Sequence, residues 1–573
     1  MEKIFVAIAS YRYTECQWTV KDMFESAAFP DRVFVGICWQ TDQAQDENCF
    51  VEPYPRPDQV RTLNVALEDA RGACWAKSKA LSLAEGEDYY LLIDSHMRFA
   101  KSWDTELIEM LGGIGNKRAF ISTYPAGYEP PDSRGEGTPR LRPTIFFDRV
   151  LSQDSVGLDM PKPLPSYLVA GGFIFGLAEM FEEIKYDPNI YFIGEEITHA
   201  ARYYTHGWDG YAPNKCLIYH YYTRKGSVRH WEDQKDHWPK LNLLSYKRIR
   251  HLLDVERTSD PEALVDIEKY GMGSVRSLDD FQAIIGVNIM AQLIDKNRHD
   301  SVEAVEASLI KPQPPLYSYE MARLGLYACR HGYMLLPKHD QYISKSLIKY
   351  GEWVEGLNDV FRAIFSPGGL AIEVGAGFGA HTLPLARLVG FEGKLIAIEQ
   401  SRRIIDILYG NVALNSLENV QLVHARVGAV SGMIEVSEPV FDYEANFGMV
   451  STLEASAGKP DNVNVITLDN QSWGRIDFIF IDTPGEVSEV LAGSRRLIAS
   501  HRPAMVVNSD NLNDSTAVNN TMIEFGYKTM AFSCPFFSKK NYFKVDEDVF
   551  PGLISNYIVA VPNDMDFPLS LAA

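Results

Sequence analysis

Asp94-Ser95-His96 stands directly after the apolar run Tyr89-Tyr90-Leu91-Leu92-Ile93. That run reads as a buried strand, so an aspartate and an imidazole two residues apart leave its end on one side of an extended segment, where α/β enzymes place their chemistry. A carboxylate with a neutral imidazole suits a divalent cation such as manganese. The competing reading is a strand-end turn with a capping aspartate. A further histidine, His220, lies within the strand-like Leu217-Ile218-Tyr219-His220-Tyr221-Tyr222, and Gly194-Glu195-Glu196 opens a helix through His199 and Arg202. A carboxylate there could orient a substrate group or cap the helix. In the second half, Glu373-Val374-Gly375-Ala376-Gly377-Phe378-Gly379 joins an apolar strand to a helix, and Glu399 ends the strand that follows. Glycines at alternate positions of such a turn let a nucleoside approach the backbone.

The elements that must position these groups follow from periodicity. Ile4 to Ala9 and Arg32 to Trp39 are apolar runs with a plausible helix between them, the opening of a nucleotide-binding α/β sheet. The turn Ser10-Tyr11-Arg12 at the first strand's tip is where a base or ribose would be held. No glycine-rich phosphate loop occurs in this half, so phosphates there are expected to be met by a metal. Val60 to Leu83 has helical spacing over parts of its length; Arg71 and Lys77 either contact a diphosphate or form a solvated helix face. Ser102 is the expected N-cap of a helix whose Trp103, Leu107, Ile108 and Leu111 share a face. Residues 126–165, rich in Pro, Gly and Asp, read as a long loop over the site, a lid or acceptor-binding element. Gly171 and Gly172 open the next strand, Ala170 to Gly176, and allow close approach of a ligand or another backbone.

Helices are expected to continue to about Lys296. Ser308 to Tyr319, with Pro312, Pro314 and Pro315, is the candidate linker. Helical periodicity then resumes up to Ser366 through Ile343, Leu347, Tyr350 and Trp353. Later strands are expected at Leu370 to Val374, Lys394 to Ile398, Val420 to His424, Ile476 to Asp482, Met505 to Val507, and near Tyr527 and Tyr557.

With 573 residues, 46% of them hydrophobic and 23% charged, the chain has the composition of an ordinary globular protein and the length for two or three cores. A net charge of -21 without any basic run argues against a general nucleic-acid binder. Met1-Glu2-Lys3-Ile4 enters a strand without a leader, and no stretch has membrane-spanning length, so a cytoplasmic protein is expected. Seven cysteines, with no CxxC pair, read as free thiols.

The order of these motifs resembles the GT-A glycosyltransferases, and most closely the protein-hydroxyproline N-acetylglucosaminyltransferase family. The likeness is carried by Ile8-Ala9-Ser10-Tyr11-Arg12 with Glu15-Cys16, Asp94-Ser95-His96-Met97-Arg98-Phe99, Trp103-Asp104, Gly194-Glu195-Glu196, Thr205-His206-Gly207-Trp208-Asp209, His220-Tyr221-Tyr222 with Arg224, and Tyr270-Gly271-Met272-Gly273 with Arg276-Ser277-Leu278. The resemblance implies Asp94, His96 and His220 as metal ligands, with manganese or another divalent cation holding a UDP-GlcNAc donor. It implies retention of anomeric configuration without an obvious enzymic nucleophile, with Glu195 and Glu196 as donor or acceptor binders. Lys77 stands where an arginine is expected, which keeps the charge and loses the planar fork.

The second half resembles the FkbM-type methyltransferases through Gly351-Glu352-Trp353, Glu373 to Thr382, Ala397-Ile398-Glu399, Asn411-Val412-Ala413-Leu414-Asn415, Thr467-Leu468-Asp469, and Ile481-Asp482 with Gly485, Leu491 and Gly493. That resemblance implies S-adenosylmethionine held at Gly375, Gly377 and Gly379, with Glu373 near its amino-acid end and Glu399 on its ribose. The chain departs from the family pattern at Pro484 and at Asn508, where a glutamate is expected. Asp482 remains as the candidate base, with His381 second.

The reading is thus an α/β chain in which a GT-A nucleotide-sugar domain (residues 1–290) and a helical, proline-containing linker (291–338) precede a Rossmann-like seven-stranded methyltransferase domain (339–573). The expected function is transfer of N-acetylglucosamine to a hydroxyl on a protein or glycan acceptor, then O-methylation of the glycan. The alternatives are a glycosyltransferase with an inactive C-terminal binding or assembly module, and a methyltransferase guided to glycans by an inactive first half. Oligomerisation is compatible with either arrangement.

Overall fold

The computed structural model describes residues 1–42, 45–50, 54–147, 149–449 and 459–566. The chain forms two compact units, one of Met1–Asp254 with Pro261–Pro315 and the other of Val255–Asp260 with the residues from Leu316 onward.

The first unit opens with four strands that run parallel where they pair: β1 (Ile4–Tyr11), β2 (Val33–Gln40), β3 (Val60–Val65) and β4 (Tyr89–Asp94). Then come β5 (Met97–Phe99), β6 (Ala119–Ser122), β7 (Ala126–Glu129), β8 (Ser133–Arg134), β9 (Pro139–Phe147), β10 (Val150–Gly157), β11 (Leu164–Pro165), β12 (Phe173–Leu177), β13 (Asp209–Ala212) and β14 (Ile218–His220). The main sheet has the order β11-β13-β6-β12-β4-β1-β2-β3. Leu91 to Ile93 and Ile4 to Ile8 are fully buried, as expected of central strands covered on both faces. In the parallel register Ala9 lies beside Asp94, so Asp94 leaves the sheet at its carboxyl edge next to Ser10 and Tyr11, the last residues of β1. A second sheet, β5-β14-β7-β8, stands beyond that edge and pairs His220 with Met97.

Three helices buttress the edge: α1 (Glu15–Ser26), α2 (Ala73–Leu81) and α3 (Trp103–Gly113). Ser102 occupies the N-cap position of α3 with φ 61°, but its side chain makes no cap bond; its carbonyl accepts from Thr105 and Glu106 instead. Asp104 in the first turn is buried and accepts from Arg32 and from the amides of Ala28 and Phe29, which fixes the helix against the loop after α1.

Segments expected as loop or helix prove to be strands. Val60 to Val65 adds an edge strand beside β2, where Val60, Thr62 and Val65 supply β-branched side chains suited to a pleated surface. Within 126–165, β9 and β10 form an antiparallel hairpin; Gly135, Gly137 and Gly157 punctuate its ends rather than prevent pairing. The stretch 318–337, expected to be helical, is a three-stranded meander of Ser318–Glu320, Leu324–Cys329 and Gly332–Pro337. Residues 291–338 divide between the units, the break falling between Pro315 and Leu316 inside the proline-rich stretch.

The second unit is built on seven strands, β15 (Leu370–Val374), β16 (Lys394–Glu399), β17 (Val420–His424), β18 (Phe478–Ile481), β19 (Ala504–Asn508), β20 (Tyr527–Pro535) and β21 (Ile554–Pro562). Their order is β17-β16-β15-β18-β19-β21-β20, with β21 antiparallel to β19 and to β20 and the first five strands parallel. The order reverses at β15, between β16 and β18, the switch point at which such sheets open a crevice for ligands. This is the Rossmann-like sheet expected from the sequence.

Candidate metal and cofactor sites

The end of β4 and the end of β14 bring Asp94, His96 and His220 together. His96 Nε2 lies 3.0 Å from His220 Nε2, and His220 Nε2 lies 3.3 Å from Asp94 Oδ2. All the ligand atoms of the trio fall within 4.8 Å of one another. Both imidazoles are buried. Burial, against the pull of Asp94, holds His96 well below its ordinary pKa, so its ring is neutral, the form that ligates a metal. Burial opposes ionisation of Asp94, but the His220 hydrogen bond, Lys77 and His96 outweigh it and hold the carboxyl well below the usual range.

Two nitrogens facing each other share at most one proton. Atoms about 2.1 Å from one octahedral ion stand about 3.0 Å apart at right angles. The trio therefore fits a divalent cation in donor type, protonation state and spacing. The ring of Tyr222 lies 4.0 Å from that of His220 and its hydroxyl donates to the Pro125 carbonyl, fixing one wall.

Behind the trio, Lys77 on α2 donates to Glu195 Oε1 at 2.7 Å and to the Gly171 carbonyl at 2.8 Å, and its ammonium stands 4.0 Å from Asp94 Oδ1. Burial disfavours the ammonium, but Glu195 and then Asp94 more than offset it, so Lys77 is charged. Glu195, which opens the helix α4 (Glu195–Thr205), also accepts a short hydrogen bond from Tyr186. It is thus spent on holding Lys77. Glu196 accepts from the Gly171 amide at 3.0 Å and from Tyr124, and burial pushes its carboxyl up to about 7. Tyr124 in turn accepts from Gln153 of the hairpin at 3.3 Å, so the hairpin is tied to the site.

The paired glycines leave room for neighbouring side chains. A Cβ on Gly172 would lie 2.6 Å from Asp94 Oδ2, and one on Gly171 3.0 Å from both Glu195 Oε1 and Lys77 Nζ. The turn expected at Ser10–Arg12 begins later: Ser10 and Tyr11 pair with Trp39 and Gln40 as the last residues of β1, and the chain turns at Arg12 (φ 46°). Ser10 is buried, Tyr11 donates to Asp233 at 3.0 Å, and Arg12 pairs with Asp46 at 3.1 Å and Asp233 at 2.9 Å, so residues 46 and 233 brace this strand end. Arg71 is exposed.

In the second unit a cavity of about 350 Å³ opens at the carboxyl ends of β15, β16, β18 and β19. Gly375 (φ 86°) has no room for a Cβ, which would meet the Asp482 carbonyl at 2.4 Å. Gly377 faces open space, and its amide donates to Glu399 Oε2 at 2.9 Å; Ser401 N donates to the other oxygen at 2.8 Å. A Cβ on Gly379 would meet Leu408 at 2.7 Å, so that glycine serves packing. Glu373 does not line the cavity. It accepts from Thr382 at 2.6 Å at the start of α5 (Thr382–Val389), and burial pushes its carboxyl up to about 8. Asp482 lines the cavity and accepts from Asn508 at 2.9 Å; burial pushes it up to about 6.

Tyr124 and Tyr186, which hold Glu196 and Glu195, escape a reading of the sequence, and Thr382, which holds Glu373, enters it only as the end of the stretch that carries the FkbM resemblance. Nothing in their local pattern marks them, because each bond joins distant or turn-related positions that only the fold brings together.

A profile of the family described as Glycosyltransferase (GlcNAc) matches residues 3–57 and 51–291, which together make half of the chain. The chain belongs to this GlcNAc glycosyltransferase family. A profile of the methyltransferase FkbM domain matches residues 373–529. No curated protein matches the chain. Among solved structures, the GlcNAc-family chain is similar to GalNAc-T7 with UDP, GalNAc and Mn2+ (15% identity, 60% of this chain and 66% of that one, TM-score 0.36). It is similar as well to methyltransferase FkbM from Methylobacillus flagellatus KT (15%, 34% and 44%, TM-score 0.24) and to an S-adenosylmethionine-dependent O-methyltransferase from Thermotoga maritima (14%, 37% and 65%, TM-score 0.24). The alignments thus span under half of that FkbM protein and 66% of the GalNAc-T7 chain. All seven cysteines are free, and among the described residues no helix is long and apolar enough to cross a membrane.

Proposed function

We propose that the chain is a bifunctional transferase, which moves N-acetylglucosamine from UDP-GlcNAc to a hydroxyl of a protein or glycan with retention and O-methylates the glycan product. The observation that carries this reading is the convergence of Asp94, His96 and His220, with imidazole nitrogens 3.0 Å apart, at the carboxyl edge of the first unit's main sheet.

Asp94, His96 and His220 would hold a divalent ion, manganese in the first instance. Such an ion neutralises the charge that builds on a leaving diphosphate. Lys77, locked by Glu195, adds a fixed positive charge beside Asp94. Glu196, poised near neutrality, orients the donor sugar or the incoming hydroxyl. Ser10, Tyr11, Arg12, Gly171 and Gly172 complete the donor side, the glycines by leaving room for Asp94 and Lys77.

In the second unit, Glu399 would accept from the ribose hydroxyls of S-adenosylmethionine, and the Gly375–Gly379 turn would admit the nucleoside. Glu373, on the side of the cofactor's amino-acid end, would act indirectly, by holding Thr382 at the start of α5. The cofactor would supply an electrophilic methyl group, while Asp482 takes the acceptor's proton. A second reading, a glycosyltransferase with a methyl-transfer module that only binds, has one observation behind it: Asn508 uses a carboxylate oxygen of Asp482.

Incubation with UDP-GlcNAc, manganese, S-adenosylmethionine and a hydroxyproline peptide or glycan acceptor, followed by mass analysis, tests the reading. A gain of one N-acetylhexosamine and then one methyl group is expected. Sugar transfer without methyl transfer would leave the second reading, and no consumption of the sugar nucleotide would remove both.

A further inference from the structure

The cavity of the second unit straddles β15. Glu399, Gln400, Ala425 and Arg426 line it on the side of β16 and β17, whereas Asp482, Asn508 and Tyr557 line it on the side of β18, β19 and β21. His381 belongs with the latter. It lines the cavity, and its ring centroid stands 5.3 Å from that of Phe480 and 6.1 Å from that of Phe361, both edge-on.

The His381 side chain is 4% exposed, yet neither ring nitrogen has a hydrogen-bond partner among the described residues. Leaving a buried polar group unpaired is costly, so a ring with both nitrogens unused on a cavity wall is placed for a ligand that supplies the partners. Burial holds this imidazole down at about 4, so at neutral pH one nitrogen donates and the other accepts. A carboxylate could use only the donor and an ammonium only the acceptor. A hydroxyl answers either, and neighbouring hydroxyls on one ring answer both.

The rest of this wall has the same character. Trp353 and Phe536 line it with ring centroids 4.6 Å apart, and Tyr557 adds a third aromatic side chain. These offer apolar faces to C–H groups, while Asp482 and Asn508 offer polar atoms at the cavity's edge.

We propose that the β18–β19–β21 side of the cavity is a subsite for a hydroxyl-rich ring, a pyranose, and that His381 is the side chain that hydrogen-bonds its reacting hydroxyl. The assignment rests on the methyl-transfer reading above and deepens it. His381 holds the hydroxyl in place; Asp482 keeps the role of base.

The test is equilibrium binding to the full chain, with methyl N-acetylglucosaminide titrated by calorimetry into protein saturated with S-adenosylhomocysteine. His381→Ala should weaken the sugar about tenfold, the loss of one hydrogen bond of ordinary strength. His381→Gln, which can still donate and accept, should recover most of it, and it guards against a folding defect in the alanine variant. Affinity for S-adenosylhomocysteine should stay within about twofold in both, since tenfold is one hydrogen bond. Equal sugar affinity in wild type and His381→Ala, or no sugar binding to wild type, overturns the assignment. So does a tenfold loss of S-adenosylhomocysteine affinity in His381→Ala, which would make His381 a cofactor group. Failure of S-adenosylhomocysteine to bind wild type would instead remove the methyl-transfer reading, and this assignment with it.

Discussion

Glu195 and Glu196 are neighbours in sequence with different tasks in space. Glu195 neutralises the buried Lys77, and removing one partner of a buried pair leaves the other charge uncompensated. Lys77→Met is therefore expected to destabilise the first unit by about 3–5 kcal/mol, read by denaturant unfolding. Double replacement by Lys77→Met and Glu195→Gln should recover much of that loss. Glu373 makes a pH prediction with a definite sign. Its carboxyl sits at about 8 in the fold against an ordinary 4.5, so the folded chain holds a proton that the unfolded chain has released between those values. Stability from this group is complete below 4.5 and is lost as pH rises towards 8. Glu373→Gln keeps a neutral side chain at all pH, so the variant's melting temperature should gain on wild type as pH rises from 5 to about 8. A constant difference across that range would contradict the burial account. The sequence made Asp94 and His96 legible because a strand end puts them on one side. Periodicity alone does not separate His220 from a core histidine, which only the resemblance singles out, nor does it show that Glu195 faces Lys77, since each depends on a contact more than a hundred positions away.

Close approach decides matters at the scale of elements. The turn before β12 carries Gly172 because Asp94, leaving the neighbouring strand, occupies the space of its Cβ. Gly172→Ala is expected to push Asp94 aside and cost about 10–100-fold in manganese affinity, comparable with the loss of an outer-shell contact, while the fold melts near the wild-type temperature. Titration of the cation followed by thermal shift checks it; unchanged affinity would mean that the cation does not depend on Asp94. The central strands of both sheets were readable because runs such as Leu91 to Ile93 and Ile479 to Ile481 are buried on both faces. The edge elements were not. Val60–Val65, the β9–β10 hairpin and the 318–337 meander are partly exposed; polar residues in the first, and proline and glycine in the other two, imitate helix or loop. Ser102 takes the expected N-cap position but makes no side-chain cap bond, because position alone does not orient a hydroxyl.

At the scale of the molecule, the described residues form two compact units, and the metal trio and the cavity each lie within one of them. Ligands that bind only the folded state stabilise by mass action, about 2.7 kcal/mol at a hundredfold excess over Kd. Manganese with UDP should therefore raise the unfolding of the first unit, and S-adenosylhomocysteine that of the second, and the two shifts should be separable by His220→Ala, which abolishes only the former. The break at Pro315 lies within the proline-rich stretch that composition marks out, whereas the contribution of Val255–Asp260 to the second unit carries no sequence signal, because the six residues are ordinary until the Arg257 amide donates to the Arg387 carbonyl and the Thr258 hydroxyl to Glu392. The central claim is that Asp94, His96 and His220 hold a cation that activates a sugar nucleotide. It is tested most directly by UDP release from UDP-GlcNAc, measured with manganese and with a chelator, for wild type and His220→Ala. Release by wild type with manganese alone, falling at least about a hundredfold in the variant and with chelator, is the predicted result, since several kcal/mol of charge stabilisation would be lost. Equal release in the presence of the chelator, or by His220→Ala, would contradict it.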